Sequence, residues 1–324
     1  MHLEVEKKEL PKVTNFISCC VCGNKDYSLK YVINCYNVVK CNICGFFYLN
    51  PPPDPTVLDK IYTKEYFRNP AFNTLDTERY YGYDIYIDDK INIQNKFKKC
   101  LRYLKKYSNG GRLLDIGCAT GFFLELARQE GWETIGIEAS DFACEYAREK
   151  LGLDVIRSSL IDAKFKAQSF DVVTMWDLIE HLLDPLSELL EVNRIMKIGG
   201  ILGIITPDIG ALIPRILGKN WLELRRIPAH LSFFSVRTLK QFLNRTGFDL
   251  LETRTIGKKF SMDSLVKNLR FHDKLVFKKR WMLIKYLPLK TFPFTINPFY
   301  KILAFARKVE EISDKPDIRL EKKE

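Results

Sequence analysis

From Arg112 onward the chain alternates short apolar runs with segments whose apolar residues recur at helical spacing. Residues 112–117 predict a strand followed by a helix to Glu130, and residues 133–138 a second strand followed by a helix to Lys150. Strand and helix repeating at this spacing imply right-handed crossovers, and so a mostly parallel sheet with helices on both faces. Further strands are predicted at 154–157, 170–176, 201–206, 248–255 and 301–307, and further helices at 185–196 and 235–246. Both of these helices carry capping chemistry. Asp184 precedes Pro185, whose missing N–H costs nothing in a first turn, and Ser235 opens a helix that Gly247 closes. Upstream, Ile87, Ile91, Phe97, Leu101 and Leu104 mark one amphipathic helix between Asp84 and Lys106, stopped by Asn109-Gly110-Gly111.

The chain ahead of that helix has another character. Six of the nine cysteines precede Asn50, and Pro51-Pro52-Pro53-Asp54-Pro55 then stiffens the backbone into a connector. Four parts are predicted: a cysteine module over 1–50, a proline-rich connector with the amphipathic helix over 51–110, an α/β domain over 111–257, and a basic aromatic excursion, last strand and charged tail over 258–324. With 324 residues, 46% of them hydrophobic, the chain can fill one large core and carry such appendages. Its longest wholly apolar stretches, such as Ile201–Ile205, fall far short of the roughly 20 residues that a membrane-crossing helix needs. Met1–Leu10 is too charged for an export signal, so the thiols are expected in the cytoplasm, where they hold metals or pack instead of pairing.

Cys19, Cys22, Cys41 and Cys44 form a C-x2-C-x18-C-x2-C pattern within the spacing of zinc ribbons. Two tight turns would share one tetrahedral Zn2+ at about 2.3 Å from each sulfur. Gly23 and Gly45 follow the pairs, where a left-handed residue closes such a turn. Four thiolates leave no open coordination position, so the ion would be structural and would fold a segment too short to build its own core. Cys20 is an alternative first ligand, and a set of small buried hydrophobes is the bland alternative.

Residues 113–121 read L-L-D-I-G-C-A-T-G, a strand ending in a glycine turn that enters a helix. Gly117 lets the turn close and a ligand approach the backbone, and Gly121 is expected to let the helix pack near the strand. Glu138 ends the next strand, where a carboxylate accepts hydrogen bonds from both hydroxyls of a ribose. The glycine spacing is G-x-x-x-G, not the G-x-G-x-x-G of a pyrophosphate cradle, and Asp115 would repel phosphate while suiting a cationic amino-acid group. These features predict a nucleoside bearing a sulfonium instead of a dinucleotide.

Leu113–Leu124, Gly131–Ser140, Phe170–Pro185 and Arg194–Pro207 together resemble the ordered motifs of class I S-adenosylmethionine-dependent methyltransferases. The pattern is that of the Glu-His small-molecule type related to ubiquinone-type O-methyltransferases, in the subset with an N-terminal zinc ribbon, and it extends through His230–Ser235 and Gly247-Phe248. The resemblance implies a Rossmann-like fold. It also implies that Asp115, Gly117 and Cys118, with Ala119 and Gly121 in the same turn, line the methionine end of the cofactor, that Glu138 holds the ribose, and that Ser159 with Leu160 holds the adenine. Trp176 and Asp177, just past the fourth strand, would close the cofactor pocket. Two positions depart from the family pattern: Ala119 stands where many relatives have glycine, and Ile198 replaces the usual proline before Gly199-Gly200.

Methyl transfer from a sulfonium is an in-line displacement, so the protein must align the nucleophile with the methyl group and remove a proton. Asp177, Glu180 and His181 follow the fourth strand at the carboxyl edge, where open α/β sheets bind ligands. His181 is the expected general base because an imidazole titrates near neutrality; its structural alternative is to order the loop before Asp184. His230 is the second candidate, in a segment with Trp221, Arg225 and Arg226 expected to cover the acceptor pocket. Glu180 is expected to be an anchor, and Tyr83 either reaches the cofactor or packs ahead of the helix.

Charge adds one local feature. The net charge of +11 equals that of residues 257–308 alone, where thirteen Lys and Arg face two acids, Asp263 and Asp273. Lys274, Lys278, Lys279 and Arg280 cluster, and residues 281–305 interleave aromatics with lysines and prolines. That composition suits an anionic lipid surface, a lid over a lipid-linked or phosphorylated acceptor, or a solvated flank. A nucleic-acid platform with stacking aromatics is not evident. The expected function is methyl transfer to a small-molecule acceptor, saccharide, lipid or quinone-like, most simply at oxygen, with an anionic membrane as a further partner through 258–305. A non-catalytic cofactor- or partner-binding protein and an RNA methyltransferase are the readings left open.

Overall fold

Two sheets organise the computed structural model, which describes residues 16–61, 87, 89–256 and 301–312. Tyr83 and the basic excursion over 257–300 lie outside the described residues. The strands are β1 (Tyr27–Ile33), β2 (Tyr36–Cys41), β3 (Phe47–Leu49), β4 (Arg112–Ile116), β5 (Glu133–Glu138), β6 (Val155–Arg157), β7 (Phe170–Trp176), β8 (Met196–Pro207), β9 (Ser232–Phe233), β10 (Phe248–Thr255) and β11 (Lys301–Lys308). Helices α1 (Pro55–Ile61), α2 (Lys90–Leu104), α3 (Phe122–Gln129), α4 (Asp141–Leu151), α5 (Pro185–Ile195), α6 (Leu212–Leu217), α7 (Leu222–Arg225) and α8 (Val236–Arg245) connect them.

The larger sheet has seven strands in the order β10-β11-β8-β7-β4-β5-β6. Strands β6, β5, β4, β7 and β8 run parallel, whereas β11 lies antiparallel between β8 and β10. The position of β11 follows from its side chains. Residues 302–306 are all buried, and such a continuous apolar run needs cover on both faces of a sheet interior.

Alternation along the strands divides the core into two layers. Leu113, Val172, Ile201 and Leu303 face the layer formed with α2, α3 and α4, while Leu114, Val173, Leu202 and Ile302 face that of α5 and α8. The fold is therefore α/β and Rossmann-like, with helices on both faces. Helix α2 buries Ile93, Phe97, Cys100, Leu101 and Leu104 along one stripe. The expected caps are present: Asp184 accepts from Ser187 N, and Ser235 forms a reciprocal capping box with Thr238. Strand β8 starts at Met196, ahead of the predicted Ile201, because Met196 pairs with Phe170 across an irregularity before Val172. The polar and glycine-rich residues 197–200 carry no strand signal in the sequence. Among the described residues no helix is long and apolar enough to cross a membrane.

The smaller sheet has the order β1-β2-β3-β9, antiparallel throughout. Its first three strands belong to the cysteine module. The fourth comes from the segment that follows α7, so the two sheets are joined where that segment passes the carboxyl edge of the larger one.

Candidate functional site

The carboxyl ends of β4 and β5 form the first half of the site. After Ile116 the chain turns through Gly117 (φ +68°), Ala119 (φ +48°) and Gly121 (φ +80°) into α3. Gly117 N–H and Cys118 N–H both donate to Ile137 O, at 2.8 and 3.0 Å, which ties the turn to β5. A Cβ on Gly117 would lie 3.0 Å from the Leu178 side chain, so the turn needs glycine to lie this close to the neighbouring loop. Gly121 serves a different contact from the expected one. Its missing Cβ makes room for Leu153 (2.4 Å) and Ala147 (3.2 Å), so it admits α4 and the residue beyond it, not a strand. The strand contact belongs to Gly136, where a Cβ would meet Cys118 Sγ and Leu124, each at 2.6 Å.

Glu138 closes this half. Its carboxylate accepts from Ala119 N, Ala139 N and Ser140 N, each at 2.9 Å, which fixes both oxygens at the end of β5. Burial raises its pKa even against these three donors. Ser158 N–H donates to Glu138 O (3.3 Å) and brings Ser159 and Leu160 beside it; Ser159 Oγ is held by Asp162 at 2.6 Å, and Leu160 is buried. Asp115 lies beneath the turn, buried, with Oδ1 accepting from Thr174 Oγ1 (2.6 Å). Burial pushes its carboxyl up to about 8, and the Thr174 hydroxyl pulls the other way. Cys118 is buried as well.

The second half lies at the ends of β7 and β8. Trp176 is the last residue of β7 and not past it, and its indole packs edge-on against Phe123 with ring centroids 5.2 Å apart. Asp177 takes a left-handed conformation (φ +56°) and sits between two lysines, Lys96 Nζ at 3.0 Å and Lys301 Nζ at 2.6 Å. Although burial opposes ionisation, these ammonium groups hold its carboxyl well below the usual range. A single helical turn over Ile179–His181 follows, with His181 N–H donating to Leu178 O (2.8 Å). Since the Leu178 side chain also covers Gly117, this turn carries Glu180 and His181 to the edge of the first half.

Glu180 is buried, accepts from Thr206 Oγ1 (3.0 Å), and is pushed up to about 8 by burial and by Asp177. His181 Nδ1 lies 2.9 Å from Ala229 O. A carbonyl only accepts, so Nδ1 carries the proton and Nε2 the lone pair. Burial and the Arg226 guanidinium bring His181 down to about 4, so it does not titrate near neutrality as its residue type suggests: the imidazole stays neutral and is a weaker base than an exposed histidine. The His230 ring meets it edge-to-face at 4.6 Å. His230 is fully buried, neither of its ring nitrogens has a hydrogen-bond partner among the described residues, and burial holds it well below 6.5. Glu180, His181 and His230 each bring one polar atom within 4.8 Å of the others; the His230 nitrogens and Glu180 Oε1 are buried, and His181 is the most exposed of the three. Trp221 packs on Phe233, and Arg226 approaches Glu223 at 3.8 Å, so the 221–234 segment walls this half. Lys96, Lys301 and the Ala229 carbonyl were not anticipated: a lysine on a helix or strand looks solvated in sequence, and a backbone carbonyl has no sequence signature.

The cysteine module brings together the Sγ atoms of Cys19, Cys22, Cys41 and Cys44, all within 4.8 Å of one another, with Cys19–Cys44 and Cys22–Cys41 each at 3.5 Å. Two equivalent turns present them, each closed by a glycine amide on the first cysteine's carbonyl: Gly23 to Cys19 (2.6 Å) and Gly45 to Cys41 (3.0 Å). This geometry selects Cys19 over Cys20 as the first of the four. Four sulfurs at these separations fit the edges of a tetrahedron around one ion with bonds of about 2.3 Å.

The family profile described as a methyltransferase domain matches residues 89–253, about half of the chain. The ubiquinone biosynthesis O-methyltransferase of Ruegeria sp. (strain TM1040) is 36% identical over 97 residues, 28% of this chain and 39% of that enzyme. The chain thus spans well under half the length of that relative. The protein of the same name from Methylococcus capsulatus (strain ATCC 33009 / NCIMB 11132 / Bath) is 32% identical over 162 residues, 46% of this chain and 67% of the relative. An uncharacterized protein, MJ1123, of Methanocaldococcus jannaschii is 30% identical over 182 residues, 54% of this chain and 82% of its own length.

Proposed function

Since the chain belongs to the methyltransferase-domain family, we propose that it is a class I S-adenosylmethionine-dependent methyltransferase that methylates an oxygen of a small-molecule acceptor, with His181 as the general base. When bound, S-adenosylmethionine supplies an electrophilic methyl group on a sulfonium. Gly117 lets the turn fold against Leu178 beside the cofactor's methionine end, and Glu138, already aligned by three amides, accepts from the ribose hydroxyls. Leu160 and Ser159 border the adenine, and Asp177 with its two lysines fixes the floor between the two halves.

The observation that carries the reading is the tautomer of His181. With Nδ1–H committed to Ala229 O, the Nε2 lone pair is the proton acceptor for the hydroxyl of the methyl acceptor. A neutral imidazole at physiological pH is ready to accept that proton without first losing one. The ubiquinone-biosynthesis relatives are named O-methyltransferases, which favours oxygen as the acceptor atom and a phenolic or quinol-like compound as the acceptor. We assign Zn2+ to the four thiolates as a structural ion.

The experiment is release of S-adenosylhomocysteine from the purified chain given S-adenosylmethionine and a panel of catechols, quinols, lipid-linked phenols and matched amines. Turnover with a hydroxylated member, and none with its methyl ether, supports the reading. Turnover on amines alone would overturn oxygen as the acceptor atom.

A further inference from the structure

The thiolate module and the acceptor-side histidines share one short stretch of backbone. Residues 227–234 are buried throughout yet contain only the two-residue strand β9. Buried backbone polar groups need partners, and a segment with so little regular structure must take them from its surroundings. Here they come from two sides. From the module, Leu49 N–H donates to Leu231 O (2.9 Å), β3 pairs with β9 at Phe47–Phe233 and Tyr48–Ser232, and Asn34 Nδ2 at the tip of the β1–β2 hairpin donates to Ile227 O (2.7 Å). From the catalytic side, Leu231 N–H donates to Glu180 O (2.8 Å), and Ala229 O receives the His181 Nδ1 proton (2.9 Å). The thiolate turn itself reaches this segment through Phe46, whose carbonyl accepts from Cys41 N (2.8 Å) and whose ring lies 4.8 Å from that of Phe234.

We propose that the zinc module positions the general base: by holding residues 227–234 from one side, Asn34 and the β3 edge set Ala229 O where it commits His181 to the Nδ1–H tautomer. The inference rests on the reading of His181 as the base and of the four thiolates as a zinc site. The module is then a wall of the acceptor pocket, and Asn34 is a positioning residue that never touches substrate. Ion occupancy would be felt at the base and not at the cofactor turn, whose tethers to Ile137 and Glu138 involve none of the module's residues.

The test uses the zinc-loaded full chain labelled with nitrogen-15 histidine. The chain has four histidines, and His181→Gln assigns the signal of interest. In the loaded protein the ring is expected as the single Nδ1–H tautomer. Asn34→Gly keeps the left-handed backbone (φ +52°) but removes the donor, and Asn34→Asp replaces the donor with an acceptor facing Ile227 O. Both are expected to shift His181 toward mixed tautomers, as is zinc removal by chelator, with readdition of zinc or of cobalt(II) restoring the signal. Affinity for S-adenosylmethionine, by calorimetry, should change by less than about twofold in all three cases. A pure Nδ1–H signal that survives chelation and both variants overturns the positioning role while leaving the base reading intact. Loss of cofactor binding together with the signal also overturns it, because the module would then support the whole fold. A different tautomer in the loaded wild type overturns the base reading as well.

Discussion

The two halves of the crevice are built in opposite ways. The cofactor half is mostly local: the turn after β4, helix α3 and Glu138 lie within 27 residues, and the bonds that hold the turn and Glu138 span about 20 residues or fewer, the Thr174–Asp115 bond beneath them excepted. The acceptor half is assembled from afar. His181 is set by a carbonyl 48 residues away, Asp177 by lysines 81 and 124 residues away, and the covering segment by a hairpin from the N-terminal module. On the proposed assignment of the two halves, the difference teaches that the half for the common ligand would come as one preformed unit, whereas the half for the acceptor would depend on how distant parts of the chain are docked. Substitutions should therefore separate the halves.

The largest separation is expected from His181→Ala. Removing a positioned base should lower kcat by about 10²–10⁴-fold, while affinity for S-adenosylmethionine by calorimetry stays within about twofold. An equal loss in both would erase the distinction between the halves. Gly121→Ala tests the other side. A Cβ 2.4 Å from Leu153, on a residue at φ +80°, should cost about 1–3 kcal/mol of stability, read as a lowered Tm. An unchanged melt would mean that α4 yields without strain.

The acceptor half should also carry a pH signature. His181, at about 4 in the folded chain against an ordinary 6.5, and His230, held well below 6.5 by burial, are neutral in the fold, but the unfolded chain takes up their protons. Their contribution to stability is complete above pH 6.5 and is lost as pH falls toward 4. Asp115 and Glu180, raised to about 8, act in the opposite sense, contributing most at low pH and losing that as pH rises from the carboxylate range to 8. The histidine part is therefore read as a difference: the stability change from pH 7 to pH 5 in urea denaturation should be more favourable for His230→Leu than for the wild type, and parallel curves would contradict it. The smallest effect is expected from Ala119→Gly, which relieves a left-handed alanine at φ +48°. It should raise Tm by about 1–4 °C, since the strain is about 1 kcal/mol and is partly offset by glycine's chain entropy. A lowered Tm would show that the alanine methyl packs usefully in the turn.

The same contrast explains what the sequence made legible. Periodicity and glycine spacing report local structure, so β5, β7 and β10 fall on the predicted residues and Asp184 and Ser235 cap as expected. The fold class followed from the strand and helix order. Gly121 packs against α4 and Leu153 and not against a strand, because what packs against a turn depends on a helix further along the chain. Neither the pairing of β3 with β9 nor the lysines on Asp177 leaves a periodic trace, so the acceptor wall was visible only as a list of residues. The choice of Cys19 over Cys20 was hidden for a similar reason: it is made by the Gly23 amide closing on the Cys19 carbonyl.

The cofactor half carries the central claim, and calorimetric titration of S-adenosylmethionine into the wild type and Glu138→Ala tests it most directly. Saturable binding is predicted for the wild type, with an affinity loss of about 10²-fold or more in the variant, because a buried carboxylate making charge-assisted hydrogen bonds is worth about 1.5–3 kcal/mol per bond. Equal affinity in the two proteins, or no binding to the wild type at all, would contradict the account.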